Sequence, residues 1–587
     1  MSPERIIDEF PAPTFRGNQR EALEDIRDAL AAENDVVLVR APTGSGKSLL
    51  ARAVMGGARR PDEADPTEPV GAYYTTPQVS QLDAVEADPL LSDLAVVRGK
   101  SNYTCLLPDE RDTTVDRAPC ARDRSFDCDV MHRCPYFSDR EIAANRRYAA
   151  MTLAYFMRTA GSDAFGRRDV VVVDEAHGLA EWAEMYATIE LNARTVPGWD
   201  DLSVPEGSEL DGIEGAAVVA ERVADACRRR LEPLRERTTL SADQAAERDR
   251  LADRVQELSW FVEDVADADS ETEWLLEEGE GLTIKPLNPA RYLHHTVWDR
   301  AETFVLLSAT ILDHRSFCRS VGLDPSRVAM VEVGHTFPLA HRRLYDVTRG
   351  KMTYAEREET IPKLAQLLVR LMARHPDEKG IVHAHSYGIQ GELAKRLHEM
   401  RVGGRVRTHD RGDRDDQLAG WLATDEPEVF LSVKMEEALD LQGDLARWQV
   451  LCKAPFPNTN DAGVAHRLDD GQWDWYNRTA LKTVIQACGR VVRSADDHGA
   501  TYLADSSLLD LFDRARGNMP AWFREQVDAM SAPELPEFDP QAALAGYDGS
   551  VDASGTSGRS SRGGSVDAPT GAGEIPEDHP LYDVWGG

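Results

Sequence analysis

A short apolar run, VVLVR (Val36–Arg40), leads directly into APTGSGKS (41–48) and then into LLARAVM, which has a helical pattern. No other stretch constrains the fold so tightly. Strand, glycine-rich turn and helix, in that order, are what a phosphate-cradling loop requires, and they commit the chain to an α/β architecture built on parallel sheet. Gly44 and Gly46 let backbone N–H groups turn inward around phosphates, with Ser45 between them. Lys47 supplies a point charge for the β- and γ-oxygens, and the Ser48 hydroxyl is a ligand for Mg²⁺. Residues 44–48 are therefore the expected triphosphate site. The usual opening glycine is replaced by another small residue, Ala41.

The complementary half lies at VVVVDEAH (170–177). Four β-branched residues in a row predict a buried parallel strand, and such strands present ligands at their C-terminal ends. Asp174 is placed to hold Mg²⁺ and Glu175 to activate the attacking water, the two tasks that phosphoryl transfer asks of neighbouring carboxylates. Further along come LLSATIL (306–312) and QACGRVVRS (486–494), and upstream YYTTPQVSQL (73–82). Each is weak alone. Five elements in this order over about 450 residues are a strong signal.

Half of the eight cysteines fall within thirty residues, at 105, 120, 128 and 134, in a stretch dominated by polar side chains. The N-terminus has no apolar core of a signal peptide, so these thiols are expected in a reducing cytoplasm, where a cluster holds a metal rather than forming disulfides. Four thiolates suit zinc or an iron–sulfur cluster. Structural zinc sites bring ligands in close C-x₂₋₄-C pairs, which this spacing lacks. His132 reads as a solvated loop histidine, and Cys227, Cys318, Cys452 and Cys488 read as small buried residues.

Charge adds an expectation about surroundings. The 587 residues carry 102 acidic and 67 basic side chains, a formal net charge of −35, and only 10 of the basic residues are lysine. An acid-rich, lysine-poor chain fits a high-salt cytoplasm, such as a haloarchaeon's, where the Debye length falls to about 3 Å and self-repulsion is screened. Net charge then excludes no polyanionic partner. No apolar run approaches the roughly 20 residues of a membrane helix.

With four cysteines between the 73–82 motif and the D-E-A-H box, and a long insert between that box and S-A-T, the chain resembles the XPD/DinG family of iron–sulfur superfamily 2 DNA helicases. GKSNYTC (99–105), Phe337-Pro338, His385-Ser386-Tyr387 and APFP (454–457) belong to the same likeness. The resemblance implies two RecA-like parallel-sheet motor domains, with an iron–sulfur insert and a helical Arch-like insert in the first. It implies a [4Fe–4S] cluster on Cys105, Cys120, Cys128 and Cys134, ATP and Mg²⁺ as cofactors, and 5′→3′ movement on single-stranded DNA with unwinding of forked duplexes. Gln19 resembles an adenine-reading glutamine. Gln486 belongs to the Q-x-x-G-R-x-x-R element, whose Arg490 and Arg493 would act as arginine fingers. Thr75, Thr76, Tyr103 and Ser386 are the candidate DNA contacts.

The expected division is 1–100 with 140–185 and 285–340 for the first motor domain, 101–139 for the iron–sulfur domain, and 186–284 for the Arch-like insert. The second motor domain follows at 341–530, then a disordered acidic tail at 531–587, where ten acidic side chains face two basic ones. In the insert, Leu251, Val255, Leu258, Val262 and Val265 recur at helical spacing as a packing stripe. Glu437-Ala438-Leu439-Asp440 stands where the family has E-G-x-D. The chain opens about 40 residues before the phosphate loop, too few for a fused nuclease. A monomeric helicase in the cytoplasm, associated with the nucleoid, is the expectation. The alternative is a nucleic-acid-stimulated ATPase that remodels protein–DNA complexes or RNA–DNA hybrids without processive unwinding.

Overall fold

The computed structural model describes residues 1–548 apart from 66, 124–125, 161–163, 197, 200–201, 203–209, 211, 271, 280, 434–440, 442 and 493. It divides into two compact units, Met1–Ala41 with Gly46–Val333, and Pro42–Ser45 with the chain from Gly334 onward. The described strands of the first unit are β1 (Val36–Arg40), β2 (Ala72–Thr76), β3 (Ala95–Val96), β4 (Tyr148–Thr152), β5 (Arg168–Val173), β6 (Ile189–Leu191), β7 (Trp274–Gly279), β8 (Gly281–Pro286), β9 (Ala301–Ser308) and β10 (Val328–Glu332).

Seven of them form one parallel sheet in the order β10-β1-β9-β5-β2-β4-β3. Its central strands are apolar on both faces because both faces are covered. Val37, Val39, Val170, Val172, Val305 and Leu307 pack on one side with Leu23 and Ile26 of helix Gln19–Ala31 and Leu50 and Val54 of helix Lys47–Gly56. Val36, Leu38, Val171, Val173, Phe304 and Leu306 pack on the other. This strand order brings the C-terminal ends of β1, β9, β5 and β2 side by side, with Arg40 opposite Ser308 and Val173 opposite both Thr75 and Leu306.

Two insertions interrupt the sheet. The segment between β3 and β4 carries the four cysteines and has a very small core of Tyr103, Val115, Cys134 and Tyr136, with Phe137 against it. The segment between β5 and β9 holds two antiparallel helices, Gly212–Glu236 and Ala242–Ala266. Ser241 and Gln244 start the second with a reciprocal capping pair. Leu251, Leu258 and Phe261 are buried against Val219, Val223 and Cys227, while Val255, Val262 and Val265 pack at the margin. Helical pattern alone misses part of this insertion: β6, β8 and β7 form a three-stranded antiparallel sheet beside the helices. The two insertions also meet. Leu240 N–H, in the turn between the helices, donates to Arg122 C=O at 3.0 Å. The Thr239 hydroxyl donates to Asp123 at 3.2 Å.

The second unit has β11 (Arg342–Asp346), β12 (Gly380–His383), β13 (Val406–Arg407), β14 (Val429–Ser432), β15 (Trp448–Leu451) and β16 (Gly499–Leu503) in one parallel sheet, ordered β11-β16-β15-β12-β14-β13. The expected disordered tail needs correction over its first part. Residues 531–548 are ordered on this unit. Arg370 donates to the carbonyls of Pro536 and Leu535, Arg374 to that of Glu534 and the fully buried Arg405 to that of Ala543. Backbone acceptors for these arginines, with Ala543, Leu535 and Leu544 packed on the core, hold this segment, and its overall composition does not reveal so few anchors. The rest of the tail, with its closing HPLYDVWGG, lies outside the described residues, as does Glu437–Asp440. Among the described residues no helix is long and apolar enough to cross a membrane.

Candidate functional site

The C-terminal edge of the first sheet gathers the sequence-predicted nucleotide residues. Gly44 and Gly46 have φ of 80° and 79°, the left-handed region that glycine adopts without cost, and Gly46 caps the helix that begins at Lys47. Any side chain at Gly46 would collide with Gln19 Nε2, so the Gln19 amide lies directly against the loop. Gln19 Oε1 in turn accepts from Arg16 N–H at 2.9 Å.

Lys47 Nζ lies 3.0 Å from Glu175 Oε1. Glu175 Oε2 faces His177 Nδ1 at 3.3 Å, and the same nitrogen meets Ser308 Oγ at 2.9 Å. Ser308 Oγ accepts from Thr310 N–H at 3.0 Å, and Ser308 C=O accepts from Ala41 N–H at 3.0 Å. A continuous polar chain therefore joins the phosphate-loop lysine, the D-E-A-H box and the S-A-T element. Glu175 itself has φ 49° and ψ 41°, a left-handed conformation uncommon outside glycine and costly enough to mark a functional position.

The two carboxylates are held in different electrostatic states. Burial and the neighbouring Glu175 charge push Asp174 up to about 6, against the pull of Lys47. Burial also acts upward on Glu175, but Lys47 and His177 outweigh it and hold this carboxyl well below the usual range. Asp174 Oδ1 accepts from Glu175 N–H at 2.9 Å and Oδ2 from the Tyr74 hydroxyl at 2.9 Å. The Tyr74 hydroxyl also meets that of Ser48. A hydroxyl and a carboxylate thus converge on the edge where the phosphate loop ends, an oxygen donor set that suits Mg²⁺. Tyr74 and His177 lie inside quoted motifs, yet sequence pattern alone gave them no individual role.

The threonines of β2 are placed differently. Thr75 and Thr76 are buried, with the Thr75 hydroxyl donating to Val172 C=O at 3.4 Å and the Thr76 hydroxyl to Gln81 at 2.6 Å. Tyr103 is also buried, stacked edge-on against Tyr136; its hydroxyl accepts from Arg98 N–H at 3.1 Å, and burial pushes the phenol up to about 12. Ser386 caps helix Tyr387–Glu399 by accepting from Ile389 N–H at 3.3 Å. All four candidate DNA contacts thus have their hydroxyls engaged in hydrogen bonds within the fold.

The four clustered cysteines come together. Cys105 and Cys134 are buried, and Cys120 and Cys128 are half-buried. Burial pushes the Cys120 thiol up, and Cys128, Cys105 and Cys134 push it further, while Lys100 opposes them. Four thiols near enough to influence one titration fit a thiolate-bound centre. Among the described residues no three of these sulfurs lie within 4.8 Å of one another. A set of four thiolates can hold either zinc or an iron–sulfur cluster. His132 is exposed, and Cys227, Cys318, Cys452 and Cys488 are buried singly.

In the second unit, Gln486 lies in the last turn of helix Trp473–Cys488 and Arg490 just beyond it, while Arg493 lies outside the described residues. The fully buried Gln449 of β15 sets this helix end in place. Its Nε2 donates to Ala487 C=O at 2.9 Å and to Thr501 at 2.8 Å, and its Oε1 meets His383 at 3.1 Å.

Comparison with known proteins agrees with this geometry. The helicase C-terminal domain family matches residues 368–526. Over 322 residues the chain is 24% identical to the ATP-dependent DNA helicase CHL1 of Eremothecium gossypii, covering 49% of this chain and 40% of that one. Over 117 residues it is 33% identical to the human regulator of telomere elongation helicase 1, covering 17% of this chain and 9% of that one. The chain therefore spans less than half the length of these relatives. Its fold matches an XPD helicase structure with a TM-score of 0.57 at 16% identity, covering 89% of this chain and all of the other. It matches Xpd4 of S. tokodaii with a TM-score of 0.55 at 15% identity, covering 88% and 100%. The chain thus carries a stretch matching the helicase C-terminal domain family and has a fold similar to that of XPD structures.

Proposed function

We propose that this protein is an ATP- and Mg²⁺-dependent DNA helicase that moves 5′→3′ on single strands and opens forked duplexes. The observation that carries the reading is the polar chain Lys47–Glu175–His177–Ser308. It links the group that would bind the γ-phosphate to the base that would activate water, and both to the S-A-T element that would report nucleotide state. Asp174 and Ser48 hold Mg²⁺, which when bound neutralises charge on the β- and γ-phosphates. Lys47 grips the phosphates, Glu175 orients and deprotonates the water, and Gln19 reads the adenine. Gln486, Arg490 and Arg493 serve the same reaction from the second motor domain, the arginines with transition-state charge. The cysteine loop carries a [4Fe–4S] cluster and forms the wedge beside the DNA path. Grip on the strand rests on phosphate contacts and base stacking, so it is largely independent of sequence.

Support for DNA as the track comes from the names of the matched relatives and for polarity from the family resemblance. The acid-rich, lysine-poor composition supports a high-salt cytoplasm, with the protein at the nucleoid as a monomer. The deciding experiment is an unwinding assay at molar KCl on forked DNA with a 5′ or a 3′ tail, RNA–DNA hybrids included. Opening of 5′-tailed forks upon ATP addition is the expected result. ATP hydrolysis without strand separation on any substrate would replace the reading with that of a remodelling ATPase.

A further inference from the structure

The Tyr74 hydroxyl is buried, donates to Asp174 Oδ2 at 2.9 Å and meets the Ser48 hydroxyl. It therefore touches both side chains assigned above to Mg²⁺, from a strand that neither of them belongs to. Tyr74 sits on β2 beside Val172 of β5, so the sheet register fixes its ring under the end of the neighbouring strand. With Glu175 N–H on Oδ1 and the tyrosine on Oδ2, each oxygen of the Asp174 carboxylate is held by one donor. A carboxylate anchored on both oxygens cannot swing away, yet each oxygen keeps a lone pair for a metal-bound water or the metal itself.

We propose that Tyr74 is a positioning residue for the divalent metal, holding Asp174 and Ser48 at the spacing the ion requires. The inference rests on the assignment of Asp174 and Ser48 to Mg²⁺. Its ligand class is a hard divalent cation delivered with a nucleoside di- or triphosphate. A tyrosine does this better than a shorter donor because its rigid ring spans the distance from β2 to the end of β5 with two torsions to fix.

The test is a double-mutant cycle read by metal binding. Mn²⁺ affinity is measured by electron paramagnetic resonance in the presence of ADP for wild type, Tyr74→Phe, Asp174→Asn and the double variant. ADP affinity in EDTA and the thermal melt are measured alongside. Tyr74→Phe keeps the ring and its packing, so metal-free ADP affinity and the melt are expected to stay at wild-type values. Mn²⁺ affinity should fall about 10- to 100-fold, as for loss of a group that orients a metal ligand. In the Asp174→Asn background the tyrosine change should add nothing further. Wild-type Mn²⁺ affinity in Tyr74→Phe would overturn the inference, as would a loss of metal-free ADP binding equal to the loss of Mn²⁺. Unchanged Mn²⁺ affinity in Asp174→Asn would overturn the magnesium assignment and the inference with it.

Discussion

The nucleotide edge and the cysteine loop belong to the same unit yet are built on opposite principles. The first rests on a seven-stranded parallel sheet with apolar side chains packed against both faces, and its polar groups are already joined to one another. The second has a core of four buried residues, two of them tyrosines and one a cysteine. A site on a sheet keeps its geometry whether or not its ligand is present. A loop with so little to bury relies on whatever joins its thiols. Loss of one function should therefore leave the other's scaffold standing.

The largest expected effect tests the sheet side. Glu175→Gln removes the proposed base while keeping shape, and should lower DNA-stimulated ATP hydrolysis by about 10²- to 10⁴-fold in steady-state turnover. ATP binding, followed by equilibrium dialysis, should survive. Near wild-type turnover would show that the water is activated elsewhere.

Next in size is the loop side. Anaerobically purified protein should carry about four irons per chain with broad absorbance near 400 nm if the centre is [4Fe–4S]. Cys128→Ser should lose that iron and raise hydrogen exchange across 101–140. DNA-independent ATP hydrolysis should persist, while strand separation should fail. Colourless protein with one zinc per chain would break the cluster half of the comparison. Because Leu240 and Thr239 bond to Arg122 and Asp123, next to Cys120, exchange should also rise in the turn between the two long helices. If that turn stays protected, the two insertions are independent.

Leu258→Ala removes a fully buried side chain from the helical insertion and should destabilise it by about 2–5 kcal/mol, seen as earlier loss of protection in helices Gly212–Glu236 and Ala242–Ala266. The nucleotide edge should keep wild-type exchange, and loss of protection there would mean that the sheet depends on the insertion. The smallest effect is expected from Gln19→Ala. One neutral hydrogen bond is worth about 0.5–1.5 kcal/mol, so the KM for ATP should rise roughly two- to twelvefold while that for GTP stays unchanged. Equal loss for both nucleotides would make Gln19 a prop for Gly46 rather than a base reader.

What the sequence conveyed follows the same division. Residues whose chemistry is tied to spacing, such as Gly46-Lys47-Ser48, Asp174-Glu175 and the four cysteines, were legible because short motifs encode them, and the structure brings each set together. Residues that act through partners distant in sequence were not. Tyr74 meets Asp174 a hundred residues away, and Gln449 meets Ala487 C=O across a helix end. Thr75 and Thr76 stand in a quotable motif, but only the strand pairing reveals that both side chains are buried. The β6-β8-β7 sheet was hidden by the charged run at the end of β7, and the ordered part of the tail by its poor apolar content.

The Lys47–Glu175 contact has a consequence for how nucleotide enters. Lys47 already faces the Glu175 carboxylate here, with Asp174 beside it, so the lysine's charge is largely matched before any nucleotide arrives. A triphosphate adds several further negative charges and competes with Glu175 for the same ammonium group. Taking Lys47 away leaves Glu175 facing those phosphates without its cation, a repulsion that partial burial strengthens. A divalent ion arriving with the nucleotide cancels that repulsion, so metal and triphosphate bind as one unit, and free ATP is a poor visitor. On the proposed function, surrendering the lysine would also free the Glu175 carboxylate for water, so that substrate arrival would arm the proposed base.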